Sequence, residues 1–90
     1  MSVCYFQSMS KHDKVMLRVL SGLTDANIAF NDLLNLLVHL GFEHRGKGSH
    51  NIFVMRGVEE LINLQKDGNK AKSYQVKQVR NIIVKYKLGD

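Results

Sequence analysis

Apolar residues recur at helical spacing in three stretches of this chain, and at strand spacing between the second and the third. Met16, Val19, Leu20 and Leu23 share one side of a helix predicted over 10–23, with Lys14 and Arg18 on other sides. Gly22 and the polar run Thr24-Asp25-Ala26-Asn27 break it. Leu33, Leu36, Leu37 and Leu40 form the stripe of a second helix, with Asn31 as its expected N-cap and Asp32 in a first turn that favours acid. Gly41, the residue most able to turn left-handed, ends it.

Three short strands follow at 42–45, 49–55 and 58–64. Gly46 and Gly48 allow the first turn, and Arg56-Gly57 makes a tight second one. Alternation sets His50 with Ile52 and Val54, and sets Ser49, Asn51, Phe53 and Met55 on the other side. Residues 66–72, with Gly68 and Asn69, read as a mobile basic loop. Ser73 is the expected cap of a last helix reaching Leu88, stopped by Gly89. Val76, Val79, Ile82, Ile83 and Tyr86 form its apolar face, and Lys77, Arg80, Asn81 and Lys85 lie opposite. A three-stranded meander needs one face covered, so the second and last helices lying on it predict an α+β sandwich.

Ninety residues make one domain, which buries only about 60–65% of its unfolded surface, so any site is expected to be shallow and open. The single cysteine, Cys4, excludes an intramolecular disulfide framework and a cysteine-rich zinc site, and suits a reducing cytoplasm. No apolar run approaches the ~20 residues of a membrane helix, and no signal-peptide core is visible. Tyr5-Phe6-Gln7-Ser8 before Met9 resembles the remnant of a vector protease site, so residues 1–9 are set apart as a vector-derived or disordered leader.

Charge sharpens the picture through its position. The formal net charge is +5, yet Lys66, Lys70, Lys72, Lys77, Arg80, Lys85 and Lys87 face only one acid, Asp67, in the same stretch. A solvated lysine face is the bland reading. A polyanion partner, most often nucleic acid, is the other.

Lys47-Gly48-Ser49-His50 is where a proton-transfer residue meets a phosphate-binding context. A histidine titrating near neutrality can exchange a proton during attack at phosphorus, and in RNA the neighbouring 2′-hydroxyl is the nucleophile. Lys47 would stabilise charge gathering on the non-bridging oxygens. Gly48 would let backbone amides approach a phosphate, and Ser49 could bond the phosphate or the imidazole. His44 and Arg45, on the preceding strand, flank the turn. Each has an ordinary alternative: an exposed histidine, a solvated turn lysine, a glycine needed only for φ, a strand-capping hydroxyl. His12, His39, His44 and His50 lack the i, i+4 pairing of zinc enzymes, so neither metal nor cofactor is expected. Gly46-Lys47-Gly48-Ser49 leads into a strand, unlike a Walker loop. Glu59-Glu60 could bring an acid across the hairpin, but two acids beside a turn usually serve solvation.

The segment Leu37-Val38-His39-Leu40-Gly41-Phe42-Glu43-His44-Arg45-Gly46-Lys47-Gly48-Ser49-His50-Asn51-Ile52-Phe53, followed by the helical Val79-Arg80-Asn81-Ile82-Ile83, resembles the HicA family of bacterial toxins. The resemblance spans residues 31–88, about two thirds of the chain. It implies a double-stranded-RNA-binding-like α-β-β-β-α fold, here with an additional N-terminal helix. It also implies messenger RNA interferase activity with His50 at the catalytic position, and a cognate HicB-like antitoxin that masks the site. Three departures stand out. Asn51 replaces the second histidine many members carry, the helix before Asn31 is an extension, and residues 64–73 lack the proline-containing stretch common in the family.

The expected organisation is therefore a leader at 1–9, a helical extension at 10–29 and a HicA-like RNase domain at 30–90, all in one compact unit. The expected function is the toxin of a type II toxin–antitoxin system, a cytoplasmic endoribonuclease cutting mRNA with one histidine and no metal. Its catalytic residues would be His50 and Lys47, and its RNA contacts Arg45, Gly48, Ser49, Lys70, Lys72, Lys77 and Arg80. The reading from a different class is a non-catalytic RNA-binding module, which asks nothing of His50.

Overall fold

A computed structural model describes residues 10–46 and 51–89. Helix α1 (Lys11–Ser21) opens on a reciprocal cap: the Asp13 amide donates to Ser10 Oγ at 3.2 Å, and the Ser10 amide to Asp13 Oδ2 at 3.2 Å. Gly22 closes it left-handed at φ 71°. The buried line is Val15 and Val19, with Met16 partly covered, while Leu20 is 40% and Leu23 86% exposed. That corrects the expected stripe. The helix stops before Leu23 and turns its Val15–Val19 side inward.

A single 3-10 turn (Asp25–Asn27) leads to α2 (Phe30–Leu40). This helix starts before Asn31, at an Ala29 cap with no side-chain bond, so the predicted Asn31 cap is wrong. The Phe30 amide donates to the Asn69 carbonyl at 3.0 Å and the Leu33 amide, which an Asn31 cap would have satisfied, donates to the Ala29 carbonyl at 3.1 Å, so Asn31 is already inside the helix. Phe30, Leu33, Leu36 and Leu37 are buried. At the far end Gly41 takes φ 109°, and the Phe42 amide returns to the Leu37 carbonyl at 3.0 Å, turning the chain sharply into the sheet.

Strands β1 (Glu43–Arg45), β2 (Asn51–Met55) and β3 (Val58–Leu64) form an antiparallel sheet in chain order. Its register pairs His44 with Phe53, Phe53 with Ile62, and Asn51 with Leu64, with an irregularity between Phe53 and Met55. Phe53, Ile62 and Leu64 are fully buried. The basic stretch after β3 is an ordered ribbon rather than a mobile loop: β4 (Lys66–Asp67) pairs with β5 (Lys70–Ala71). The ribbon is stitched to the start of α2 by a bridge between Ala29 and Lys70, and by an Ala71 amide donating to Ile28 at 2.9 Å. Those long-range bonds are invisible to local sequence reading.

Helix α3 (Ser73–Tyr86) completes the layer. Lys72, not Ser73, occupies the cap position, and no side chain caps the helix. It ends at Lys87, left-handed at φ 54°, two residues before the expected stop at Gly89. Val76, Val79, Ile82 and Ile83 are buried as expected. Gln75 is the buried polar residue of the core: its amide donates to the Asn63 carbonyl, and its Oε1 accepts from the Gln65 amide at 2.7 Å. Both the nitrogen and the oxygen of that side-chain amide bond backbone groups, which offsets its burial and locks the first turn of α3 to the end of β3. The described residues thus make an α+β domain in the order α1-α2-β1-β2-β3-ribbon-α3. Side chains such as Phe53 and Leu33 each stabilise it by about 1.5–3 kcal/mol through burial.

Candidate functional site

Lys47, Gly48, Ser49 and His50 lie outside the described residues, between Gly46 and Asn51. What surrounds that crossing is well defined. Gly46, at φ 114°, follows the last residue of β1, and Arg45 pairs in register with Ile52.

Arg45 spans two positions on its own strand to Glu43, with Nε to Oε1 at 3.1 Å and Nη2 to Oε2 at 3.3 Å. The carboxylate raises the guanidinium's already high pKa. Both side chains are more than half exposed, so the pair is worth little and a phosphate can compete for the arginine. The other face of β1 carries His44. Its ring stacks on Phe53 with centroids 4.6 Å apart and planes 7° from parallel, and its Nε2 lies 3.0 Å from Asn51 Oδ1. His44 thus meets Asn51, the residue that stands where the resembling family often has histidine.

The Asn51–Leu64 pair marks one end of the sheet, and cations gather there. Gln65 continues from Leu64 into β4, where Lys66 Nζ sits 5.2 Å above the centre of the Phe30 ring. Lys70 Nζ reaches Asn27 Oδ1 at 2.6 Å, and Lys72 precedes α3. Helices α2 and α3 both begin at this end, as the Ala29–Lys70 bridge and the Gln75–Asn63 bond show. The first turn of α3 carries no acid, so its dipole adds positive potential, whereas that of α2 holds Asp32, paired with Lys11 at 3.2 Å. Lys66 was not among the sequence candidates; its place above Phe30 joins residues far apart in the chain.

Two predicted phosphate ligands separate here. Lys77 is exposed on α3. Arg80 does not share its open face: Nη1 contacts Asp25 Oδ1 at 2.9 Å and the Val19 carbonyl at 3.2 Å, with only 21% of the side chain exposed. It clamps α3 to α1 and the 3-10 turn. Lys85 is likewise committed, to Glu60 Oε2 at 2.9 Å. The Tyr86 hydroxyl donates to Glu60 Oε1 at 2.6 Å, and these two partners, the hydroxyl foremost, hold that carboxyl down to about 2. Glu60 is therefore a structural anion near the Val58 end of β3, away from Asn51.

Folding brings His12 and His39 into a stack 4.2 Å apart, but among the described residues no group of three or more histidine, cysteine or carboxylate side chains could hold a metal ion. No described helix is long and apolar enough to cross a membrane. No protein-family model matches the chain, and no curated protein or solved structure matches it significantly.

Proposed function

We propose that this chain is an endoribonuclease of the HicA toxin type, with a double-stranded-RNA-binding-like fold, cutting mRNA at the end of the sheet where β1 crosses to β2. The observation that carries the reading is the convergence of Lys66, Lys70, Lys72 and the uncapped start of α3 on the end of the sheet bounded by Arg45 and Asn51. Lys47, Gly48, Ser49 and His50 follow Gly46 in the chain and precede Asn51, the residue that bounds that end. The element order α2-β1-β2-β3-α3 agrees with the α-β-β-β-α order that the resemblance implies.

In this mechanism Lys70, Lys72 and Lys77 hold phosphates, and Arg45 and Lys47 balance charge on the reacting phosphoryl oxygens. Gly48 and Ser49 approach the same phosphate. His50 exchanges the proton. The 2′-oxygen attacks phosphorus and the bond to the 5′-oxygen breaks, giving a 2′,3′-cyclic phosphate and a 5′-hydroxyl. Because the nucleophile belongs to the substrate, no metal-bound water is needed. A HicB-like antitoxin is the partner that would cover this basic end, and the cytoplasm is where mRNA is met.

The test is RNA cleavage by purified, antitoxin-free chain in the presence of a chelator. Wild type should cut and His50→Ala should not. The same cationic end also favours a binding module that reads RNA by shape and phosphate contacts. A folded protein that retains RNA without cutting it would establish that reading instead.

A further inference from the structure

Cations attract duplex and single strand alike, so Lys66, Lys70 and Lys72 by themselves do not choose between them. Beside them stands a ring that does. We propose that Tyr74 stacks an unpaired base of the RNA whose phosphates the neighbouring lysines hold, an inference that rests on this end of the domain meeting RNA.

Tyr74 lies in the first turn of α3 and is 58% exposed. The other described phenyl and phenol rings are placed differently. Phe30, Phe42 and Phe53 are buried, and Tyr86 is half-buried with its hydroxyl on Glu60. A surface tyrosine ordinarily covers its apolar body and wets only its hydroxyl. Tyr74 leaves more than half of itself open, while its hydroxyl turns back to Gln65 Oε1 at 3.5 Å. Gln65 is itself held, its amide donating to the buried Gln75 at 2.7 Å. The hydroxyl is thus placed where β3 runs into the ribbon, one residue before Lys66.

Cations lie on both sides of Tyr74 along the chain. Lys72 immediately precedes α3, and Lys77 follows Tyr74 by three positions, which puts the Cβ atoms of Tyr74 and Lys77 about 5–6 Å apart on one face of the helix. Lys77 is exposed, and no carboxylate among the described residues pairs with either lysine. An aromatic ring flanked by ammonium groups is how single strands are held: the ring takes a π-face, which every base presents, and the cations take the backbone. In a duplex those faces are already stacked on one another, so the ring has nothing to receive. A cationic face that served only solvation, or only duplex phosphates, would gain nothing from an open ring in its midst. This surface therefore prefers unpaired RNA to duplex.

The experiment measures binding of the full chain at low salt to three probes of about eight nucleotides. They are a 2′-O-methylated single strand, which lacks the attacking hydroxyl and cannot be cut, the same strand in a duplex, and an abasic strand of equal phosphate count. Wild type is compared with Tyr74→Ala, Tyr74→Phe and Tyr74→Trp, each checked for folding by circular dichroism. Wild type should favour the single strand over the duplex. Tyr74→Ala should weaken the single strand about 10- to 100-fold, as removal of a stacking ring does, without changing the slope of log affinity against log salt. It should bind the abasic strand as wild type does, and Tyr74→Phe, which keeps the ring, should stay within about threefold on every probe. The chain has no tryptophan, so the emission of Tyr74→Trp reports on this position, and the single strand should quench it while the abasic strand does not. The stacking role is overturned, and the RNA surface stands, if Tyr74→Ala binds the single strand within about threefold of wild type or loses the abasic strand to the same extent. A preference for duplex, or emission that ignores the bases, overturns it equally. If wild type binds none of the three probes, the RNA surface falls with it.

Discussion

Arg80 Nη1 lies 2.9 and 3.1 Å from the two carboxylate oxygens of Asp25, and the same nitrogen donates to the Val19 carbonyl at 3.2 Å. One guanidinium therefore ties α3 to the 3-10 turn and to the last turn of α1. The side chains are only 21% and 12% exposed, so removing either partner strands a largely desolvated charge. Arg80→Ala should cost about 2–3 kcal/mol, somewhat less than a fully buried pair, with Asp25→Asn close behind. Urea denaturation followed by circular dichroism reads this directly. RNA affinity measured well below the transition should change little, because Arg80 is not on the open face of α3.

The opposite behaviour is expected of Lys66, Lys70 and Lys72. Their substitution by alanine, singly and together, should leave stability within about 0.5 kcal/mol per site while weakening RNA binding. Removing one ammonium that neutralises a phosphate should reduce the slope of log affinity against log salt by about 1. Lys70 is the informative member, since its ammonium also holds Asn27. An unchanged slope in the triple variant would move the RNA surface elsewhere.

Glu60 gives the domain an acid-sensitive contact. Its carboxyl sits at about 2, below its ordinary 4.5, because the Tyr86 hydroxyl and then the Lys85 ammonium bond the ionised form. A depressed folded-state pKa stabilises the fold above the unfolded value, and that contribution disappears as pH falls from about 4.5 to 2. Glu60→Gln should therefore flatten the fall in melting temperature across that window and leave the dependence above it unchanged. Tyr86→Phe should reproduce part of the effect.

Phe53→Ala should be the most damaging single truncation in the sheet, at about 3–5 kcal/mol. The ring has no exposed surface and lies between His44 on one strand and Ile62 on the other. Phe53→Leu, which keeps most of the volume, should fold and cost far less. It should still release the plane of the His44 imidazole, visible as a change in that ring's NMR signals.

Helix and strand placement was largely legible because the apolar residues that mark it are neighbours in sequence. Leu33, Leu36 and Leu37 are buried as their spacing predicts, Gly41 turns left-handed where α2 ends, and β3 occupies the predicted 58–64. Errors cluster where a distant backbone group satisfies a local need. Asn31 loses its capping role because α2 already begins at Phe30, whose amide the distant Asn69 carbonyl takes, and the Lys66–Ala71 ribbon forms because Ile28 and Ala29 offer it partners. Composition cannot reveal either exchange, since both join chain segments some forty residues apart.

By itself, then, the sequence determined the α+β order, the apolar faces and the basic last third of the chain, since periodicity and charge are properties of adjacent residues. It also singled out Lys47, Gly48, Ser49 and His50, which lie outside the described residues, through their motif alone. Only the tertiary structure decided which cations stay available. It turned Arg80 and Lys85 into ties holding the domain, gathered Lys66, Lys70 and Lys72 at one end of the sheet, and set His44 against Asn51. The physical reason is that a cation's role depends on whether an acid meets it in the fold. Asp25 and Glu60 reach their partners across 55 and 25 residues of chain, a separation no local pattern encodes.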